Sequence, residues 1–426
     1  MATVVTAMVA LALPLMMGNR NPATLSATLL VLVSGAFVAA VLASLPLRGM
    51  LPTPRRSWWI VFLLVGGAVL LQVFPSTNLA AAFGAYPEAL WNHPDLTLRH
   101  WSPDIGASLR GWAAFVALFI VAWLAFGMSK AQRNVLWLLL AAMAVFQGIY
   151  GVSAHAAGSE TIFGIWTRNN VEFVHGSFSN RNLFAAYLAL LWPLAIAVWW
   201  IRGMPLLGKL SVEFKVAGSL ITSVIIGTAL LASASRLGSA AGVVAMLVAL
   251  LLWTRHRRIL HGYSVWPVYL TIAGVSLAAV WYGVTPLAER LLSTGVDDGR
   301  FVVFGLMLTE FPIQWYLHGV GLGGFEAVFR QVQPGELTGW YDYAHNDLLQ
   351  WLLEMGLVGA VVMVLVGAGL YRAAHLSIER IALYAGLAAL VIVALGDFSW
   401  HVPATQIVLA LYVGTLLRGS MRRSAH

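Results

Sequence analysis

The sequence predicts an all-α integral membrane protein with about twelve transmembrane helices and one large external loop. Of the 426 residues 60% are hydrophobic and only 10% are charged, and the apolar residues fall in long stretches. A water-soluble fold of this size would have too few charges to cover its surface. We therefore expect most of the chain to lie in the lipid bilayer.

Apolar stretches that predict helices recur along the whole chain. They lie at 2–17, 23–45, 58–75, 109–127, 135–154, 183–201, 216–234, 238–253, 265–284, 348–371, 381–396 and 402–417. Several are shorter than the roughly 20 residues of a perpendicular span, so these are expected to be tilted, extended or re-entrant. The first stretch has no basic segment before it and no clear cleavage pattern after it, so we interpret it as a retained helix.

The charges are divided unequally between the two sides of the predicted membrane domain. With the N-terminus in the cytoplasm, 16 of the 25 basic residues fall in cytoplasmic connections, where only Glu213 and Glu379 oppose them. The opposite face receives the other nine arginines and 15 of the 17 carboxylates. Basic loops face the cytoplasm in membrane proteins. The distribution therefore predicts that both termini are cytoplasmic, and it accounts for the net charge of +8 without nucleic acid.

The longest external connection covers residues 285–347, between the ninth and tenth predicted spans. A loop of this length is rarely a passive turn. Residues 300–317 have a helical, partly apolar pattern, which predicts a helix lying on the membrane interface. Since no repeat or low-complexity linker divides the chain, residues 1–426 are interpreted as a single polytopic membrane domain.

Two short external segments place an arginine beside small hydroxyl residues at a helix end. They are Gly-Ser-Phe-Ser-Asn-Arg-Asn at 176–182 and Ser-Ala-Ser-Arg-Leu-Gly at 233–238. A helix N-terminus with free N–H groups and a guanidinium group suits a phosphate. Arginines at a membrane boundary also commonly extend to the interface without a ligand. The pattern alone leaves both roles open for Arg181 and Arg236.

A histidine and a glutamate mark the point where the chain re-enters the membrane. His345 stands at the mouth, and Glu354 follows about 13 Å deeper at helical rise. A lone histidine at a helix start is more often a cap or a surface group than a catalyst. An ionised group as deep as Glu354 is costly without a partner, so a buried partner is expected. A structural salt bridge and a catalytic role explain Glu354 equally well.

Together these segments resemble the O-antigen ligase and polymerase superfamily of bacterial inner-membrane glycosyltransferases. The resemblance covers residues 176–403 and includes Gly-Val-Gly-Leu-Gly-Gly-Phe at 319–325, Ala-His-Asn-Asp at 344–347 and Asp-Phe-Ser-Trp-His-Val-Pro at 397–403. No segment is specific alone, and the resemblance depends on their order, spacing and common membrane face. It implies a GT-C-like membrane fold with a large periplasmic loop that contains short helices.

The resemblance implies a ligase that transfers O-antigen polysaccharide from undecaprenyl diphosphate to lipid A-core oligosaccharide at the periplasmic face of the inner membrane. It implies no cofactor or metal, and we expect inversion at the anomeric carbon. His345 is implied as the general base, because a neutral imidazole can accept the acceptor's proton. Arg181, Arg236 and Arg300 are implied as diphosphate ligands, since fixed guanidinium groups stabilise the charge of the leaving group. Supporting roles fall to Asn180, Asn182, Ser235, Asn346, Glu354, Asp397 and His401.

Other interpretations remain open at this point. An O-antigen polymerase or a protein O-oligosaccharyltransferase of the same superfamily has a similar pattern and differs in its acceptor. Asp297 and Asp298 are interpreted as an acidic turn before a glycine, with a metal-binding pair as the alternative. A lipid-linked glycan transporter is a candidate of a different class. It would place ionisable residues inside the spans, a pattern that only Glu354 and Glu310 fit.

Overall fold

The computed structural model describes residues 2–16, 56–74, 100–168, 171–255, 299–335, 337 and 339–418. Within these ranges the chain is mostly helical, and one short hairpin pairs β1 (Thr161–Ile162) antiparallel with β2 (Trp166–Thr167). The described helices are α1 Ala2–Leu15, α2 Arg56–Val73, α3 Ile105–Gly127, α4 Lys130–Ala156, α5 Arg181–Ala197, α6 Val212–Ala232, α7 Arg236–Arg255, α8 Gly299–Thr309, α9 Ile313–His318, α10 Phe325–Val332, α11 Asp347–Arg372, α12 Ile378–Ala394 and α13 Pro403–Leu417.

The helices confirm the predicted fold class in its general form. Ten of the twelve predicted apolar stretches coincide with helices, and the other two, 23–45 and 265–284, lie outside the described residues. Six of the described helices, namely α2, α3, α4, α6, α7 and α11, are long and apolar enough to cross a membrane. The chain is thus an all-α, multi-pass membrane protein, while the number of twelve spans and the GT-C-like arrangement stay predictions.

Helix α5 lies at the centre of the bundle. Its residues 183–197 are all buried, and it packs against α4, α6, α7 and α12. Small residues allow this packing, because a Cβ atom at Gly386 of α12 would collide with the carbonyl oxygen of Leu190. A Cβ atom at Gly238 of α7 would likewise collide with Ala185. This packing fixes the first turns of α5 and α7 side by side.

The two ends of the bundle differ in their polar contacts. At one end, Arg133 Nε pairs with the Glu379 carboxylate at 3.0 Å, and Arg380 donates to the carbonyl oxygens of Ala373 and Leu416. These residues belong to the set that the charge distribution assigns to the cytoplasm. The first residues of α5, α7, α11 and α13 lie at the opposite end. Which end faces the cytoplasm stays a prediction.

The loop between α7 and α11 differs from its sequence-based prediction. The sequence predicted one interfacial helix over residues 300–317. This prediction is wrong, because the structure has two helices, α8 and α9, with a break before Pro312. Proline has no N–H group and disfavours a helical conformation in the residue before it. The described part of the loop forms a small core of its own against the start of α11. This core contains Val303, Met307, Phe311, Trp315, Val320, Phe325, Val328, Phe329, Ala344 and Leu353.

A pair of cysteine variants tests the membrane orientation. Ile165 lies on the exposed hairpin turn before α5 and Lys209 lies on the exposed connection after α5, so the two positions are at opposite ends. Ile165→Cys should react with an impermeant thiol reagent in intact cells, whereas Lys209→Cys should react only after permeabilisation. The natural chain has no cysteine and serves as the unlabelled control. Labelling of the opposite sidedness would reverse the predicted topology.

Candidate functional site

The candidate site is centred on His345, Asp397 and Arg300, which come from three separate segments. His345 Nδ1 lies 3.6 Å from Asp397 Oδ1, and Arg300 Nη1 lies 3.6 Å from Asp397 Oδ2. Arg300 also donates to the carbonyl oxygen of Gly396 at 3.2 Å. The Asp397 side chain is buried, and its Oδ1 accepts a hydrogen bond from the Phe398 N–H at 2.9 Å. The structure therefore places a carboxylate between the histidine and the arginine.

His345 has a backbone conformation that is uncommon for a residue with a side chain. Its φ angle is +54°, in the left-handed region, which costs a non-glycine residue about 1 kcal/mol or more. Hydrogen bonds of the two neighbouring residues, Ala344 and Asn346, stabilise this conformation of His345. The Ala344 N–H donates to Gln350 Oε1 at 2.9 Å, and Asn346 caps α11 by accepting from the Leu349 N–H at 3.0 Å. Such held strain directs the side chain and is common at functional sites.

Aromatic rings surround the imidazole of His345. The ring of Phe398 contacts it edge-on with centroids 4.9 Å apart, and the ring of Tyr341 lies 6.2 Å away. Tyr343 stacks on Phe398 at 4.9 Å and also lies against the ring of His401. These rings limit the access of water to one side of His345, which strengthens electrostatic interactions there.

His401, for which the sequence indicated a supporting role, pairs with a buried carboxylate. Its Nδ1 donates to Asp347 Oδ1 at 2.7 Å, and Asp347 Oδ2 accepts from the Trp400 N–H at 2.8 Å. Asp347 is fully buried. The sequence named it only as the last residue of the Ala-His-Asn-Asp motif and gave it no role. An acidic residue in the first turn of a helix usually indicates only a favourable interaction with the helix dipole.

Glu354 binds backbone amides, and no salt bridge forms with it among the described residues. Its carboxylate accepts from the N–H groups of Gly323 at 2.8 Å and Phe325 at 3.4 Å, and from Gln350 Nε2 at 2.9 Å. The glycine-rich run turns its N–H groups inward and so forms a nest for an anion. The expected buried partner of Glu354 is thus the loop itself, and its observed contacts are structural.

Gln72 of α2 completes this cluster from a distant part of the chain. Its Nε2 donates to the carbonyl oxygen of Glu354 at 3.1 Å, and its Oε1 accepts from the Leu322 N–H at 3.1 Å. The sequence carried no signal for this residue beyond a polar side chain near the end of an apolar stretch. Gln72 therefore ties α2 both to the glycine-rich run and to α11.

Gly356 provides a test of this packing. Its φ of +57° and ψ of −147° break the helical path of α11, and a Cβ atom would lie 2.6 Å from the Gly319 nitrogen and the Leu317 oxygen. Gly356→Ala should therefore lower the free energy of unfolding by about 3 kcal/mol or more. Gly367→Ala in the same helix meets open space and should be neutral or slightly stabilising. Thermal unfolding in detergent compares the two, and equal melting temperatures would contradict the packing.

The segment at 176–182 combines anchoring contacts with one charged group. Ser177 Oγ accepts from Gln147 Nε2 at 2.7 Å and donates to the carbonyl oxygen of Pro14, which joins α4 to α1. Asn180 caps α5 by accepting from the Asn182 N–H at 2.7 Å. The guanidinium of Arg181 lies 4.0 Å above the Phe173 ring. Within the described residues its Nη1 is buried without a hydrogen-bond partner.

The segment at 233–238 is a tight turn that starts α7. Ala234 has a φ of +48°, and Ser235 Oγ accepts from the Gly238 N–H at 3.3 Å. Arg236 is the first residue of the helix. The next side chain, Leu237, is the nearest group to a Cβ atom built on Gly396, whose carbonyl oxygen accepts from Arg300. Arg236 and Arg300 therefore lie at the same end of the bundle, beside the start of α5.

The structure does not test the two interpretations of the adjacent aspartates in the long loop. Asp297 and Asp298 lie outside the described residues, so the choice between an acidic turn and a metal pair stays a prediction. In the ranges given above, no group of three or more His, Asp, Glu or Cys side chains is arranged to hold a metal ion.

The fold and the site define a class of protein: a multi-pass helical membrane protein in which histidine, carboxylate and arginine side chains gather at one end of the bundle. Residues 221–364 match the family model described as O-Antigen ligase, and this match supports the resemblance to the O-antigen ligase superfamily. The matched segment includes Arg236, Arg300, His345 and Glu354. A search of curated proteins found no match.

Proposed function

We propose that this protein is an O-antigen ligase. It transfers O-antigen polysaccharide from undecaprenyl diphosphate to lipid A-core oligosaccharide at the periplasmic face of the inner membrane. The family match supports glycan transfer in the membrane in general terms. The observation that carries the proposal is the placement of His345 and Arg300 on either side of one buried carboxylate, Asp397.

The arginines are proposed to bind the donor diphosphate. Arg181 and Arg236 are the first residues of two helices that pack together, so both arginines lie at the same end of the bundle, where a helix N-terminus favours an anion. Arg300 stands beside Asp397 at the same end. As the glycosidic bond breaks, its electron pair leaves with the diphosphate, and fixed cations stabilise the added charge.

His345 is proposed to accept the proton of the acceptor hydroxyl. With Nδ1 directed at the Asp397 carboxylate, the N–H tautomer at Nδ1 is favoured and the lone pair of Nε2 is free to act as a base. The hydroxyl oxygen attacks the anomeric carbon from the side opposite the diphosphate, so the configuration inverts. Asp397 stabilises the imidazolium that forms.

A reconstituted assay tests this function. Purified protein is given lipid-linked O-antigen and rough lipopolysaccharide in the presence of a chelator. Attachment of the glycan to lipopolysaccharide is the result expected of a ligase that needs no metal. Extension of the lipid-linked glycan without attachment would identify a polymerase instead. Absence of both products would show that the proposed reaction is wrong. Activity that the chelator abolishes would show that the proposed metal independence is wrong.

A further inference from the structure

Asp347 is a buried carboxylate that the proposed reaction does not use. It begins α11, two residues after His345, and its two oxygens bind the Ser399–His401 turn through the Trp400 N–H and His401 Nδ1. An ionised group with no solvent contact is costly unless it is paired. The Asp347 carboxylate, whose burial costs free energy, therefore lies two residues after the candidate base His345.

The contacts of Asp347 join the two segments that carry the candidate site. His345 lies just before Asp347, and Asp397 lies just before the turn that Asp347 holds. Asn346 adds a second tie, because its Nδ2 donates to the carbonyl oxygen of Leu395 at 3.2 Å. The distance of 3.6 Å between His345 and Asp397 is consequently set by contacts that lie outside the reacting groups.

We propose that Asp347 and His401 are a positioning pair that holds Asp397 against His345 and thereby fixes the orientation of the imidazole for proton transfer. This inference rests on the proposed function and deepens it. Neither residue touches the reacting atoms, so both act through Asp397 and His345. An error of about 1 Å in such a geometry lowers catalysis by about 10²-fold.

The charges around His401 agree with this role. The groups that face it are Asp347 and Glu354 on α11 and Asp342 in the preceding segment. Burial lowers the pKa of His401, but the hydrogen bond and charge of Asp347, together with the charges of Glu354 and Asp342, raise it above its ordinary value in total. The stabilisation by this ion pair is fully present below the unfolded-state pKa of about 6.5 and is lost as the pH rises through the higher folded-state pKa.

Three variants separate positioning from simple stabilisation. Asp347→Asn keeps the shape and an acceptor for Trp400 but removes the charge, and His401→Phe keeps a ring without a donor. His401→Asn places an amide N–H near the position of Nδ1, so it should keep the bond to Asp347. We expect Asp347→Asn and His401→Phe to lower kcat about tenfold or more with donor KM within a few-fold, and His401→Asn to retain most of the rate.

The matched control is Asp104→Asn, which changes a carboxylate that caps α3 by accepting from the Ala107 N–H at 2.7 Å. It should keep the natural kcat. The double variant Asp347→Asn/His401→Phe should be no slower than the slower single variant, because paired residues are not additive. Full kcat per folded molecule in both single variants would overturn the proposal and leave the pair a purely structural role. If Asp347→Asn does not fold, the comparison of His401→Phe with His401→Asn decides the question.

A second readout does not depend on activity. The rate at which diethyl pyrocarbonate modifies His345, followed by peptide mass spectrometry, should rise several-fold in Asp347→Asn and His401→Phe but not in Asp104→Asn. An unchanged rate would contradict the positioning role. A natural protein that transfers no glycan would refute the proposed function, and the reactivity of His345 would still decide the role of the pair.

Discussion

His345→Ala is expected to lower the turnover number by about 10²–10⁴-fold, the usual contribution of a general base. Donor affinity should stay within a few-fold of the natural value, because the diphosphate is proposed to bind the arginines. Steady-state kinetics at saturating acceptor, with donor binding measured separately, distinguish the two effects.

His155→Ala is the matched control for this prediction. His155 is partly exposed near the end of α4, where its Nδ1 contacts the carbonyl oxygen of Val171 at 3.1 Å, and its loss should leave turnover unchanged. A loss of donor binding equal to the loss of rate in His345→Ala would reassign His345 to the diphosphate site. Natural turnover in a folded His345→Ala protein would show that the base lies elsewhere.

Replacement of Arg181, Arg236 or Arg300 by alanine is expected to lower transfer by about 10²–10³-fold each at limiting donor, because each removes a fixed cation from the leaving group. Lysine should rescue only partly, since an ammonium group lacks the two-pronged geometry of a guanidinium. Arg300→Ala should be the most severe of the three. It also leaves the buried Asp397 carboxylate without the cation that lies 3.6 Å away.

Arg110→Ala provides the comparison. Arg110 lies in the second turn of α3, at the same end of the bundle, but its side chain is mostly exposed and lies 3.9 Å from Asp104. Its replacement should therefore be close to neutral. Thermal unfolding in detergent must accompany the kinetics to separate lost binding from lost folding. Full transfer by all three alanine variants at limiting donor would refute the proposed phosphate site.

The helices could be predicted from the sequence because lipid imposes a local rule. Every backbone polar group must bond within its own segment, so a long apolar stretch becomes a helix whatever its neighbours are. The break before Pro312 was missed because the apolar pattern of 300–317 continues across it. In that case local backbone chemistry outweighed the hydrophobic pattern.

Local sequence patterns indicated several of the candidate residues, but they did not indicate which groups these residues contact. Asn180, Ser235 and Asn346 stand at helix starts and cap α5, α7 and α11, as small polar residues before an apolar run usually do. Asp397 and His401 were singled out together, yet they bind different partners. The separation between Asp397 and His401 along a short turn does not determine which side chain each of them contacts.

By itself the sequence determined that the chain is a helical membrane protein that resembles the O-antigen ligase superfamily, because apolar stretches and motif order are local features of the chain. Only the tertiary structure decided that Glu354 binds a glycine-rich loop, that Asp347 holds His401, and that Gln72 ties α2 to the glycine-rich run and to α11. Gln72 and Glu354 are 282 positions apart. A contact at that separation depends on how the helices pack, and no local pattern of residues encodes it.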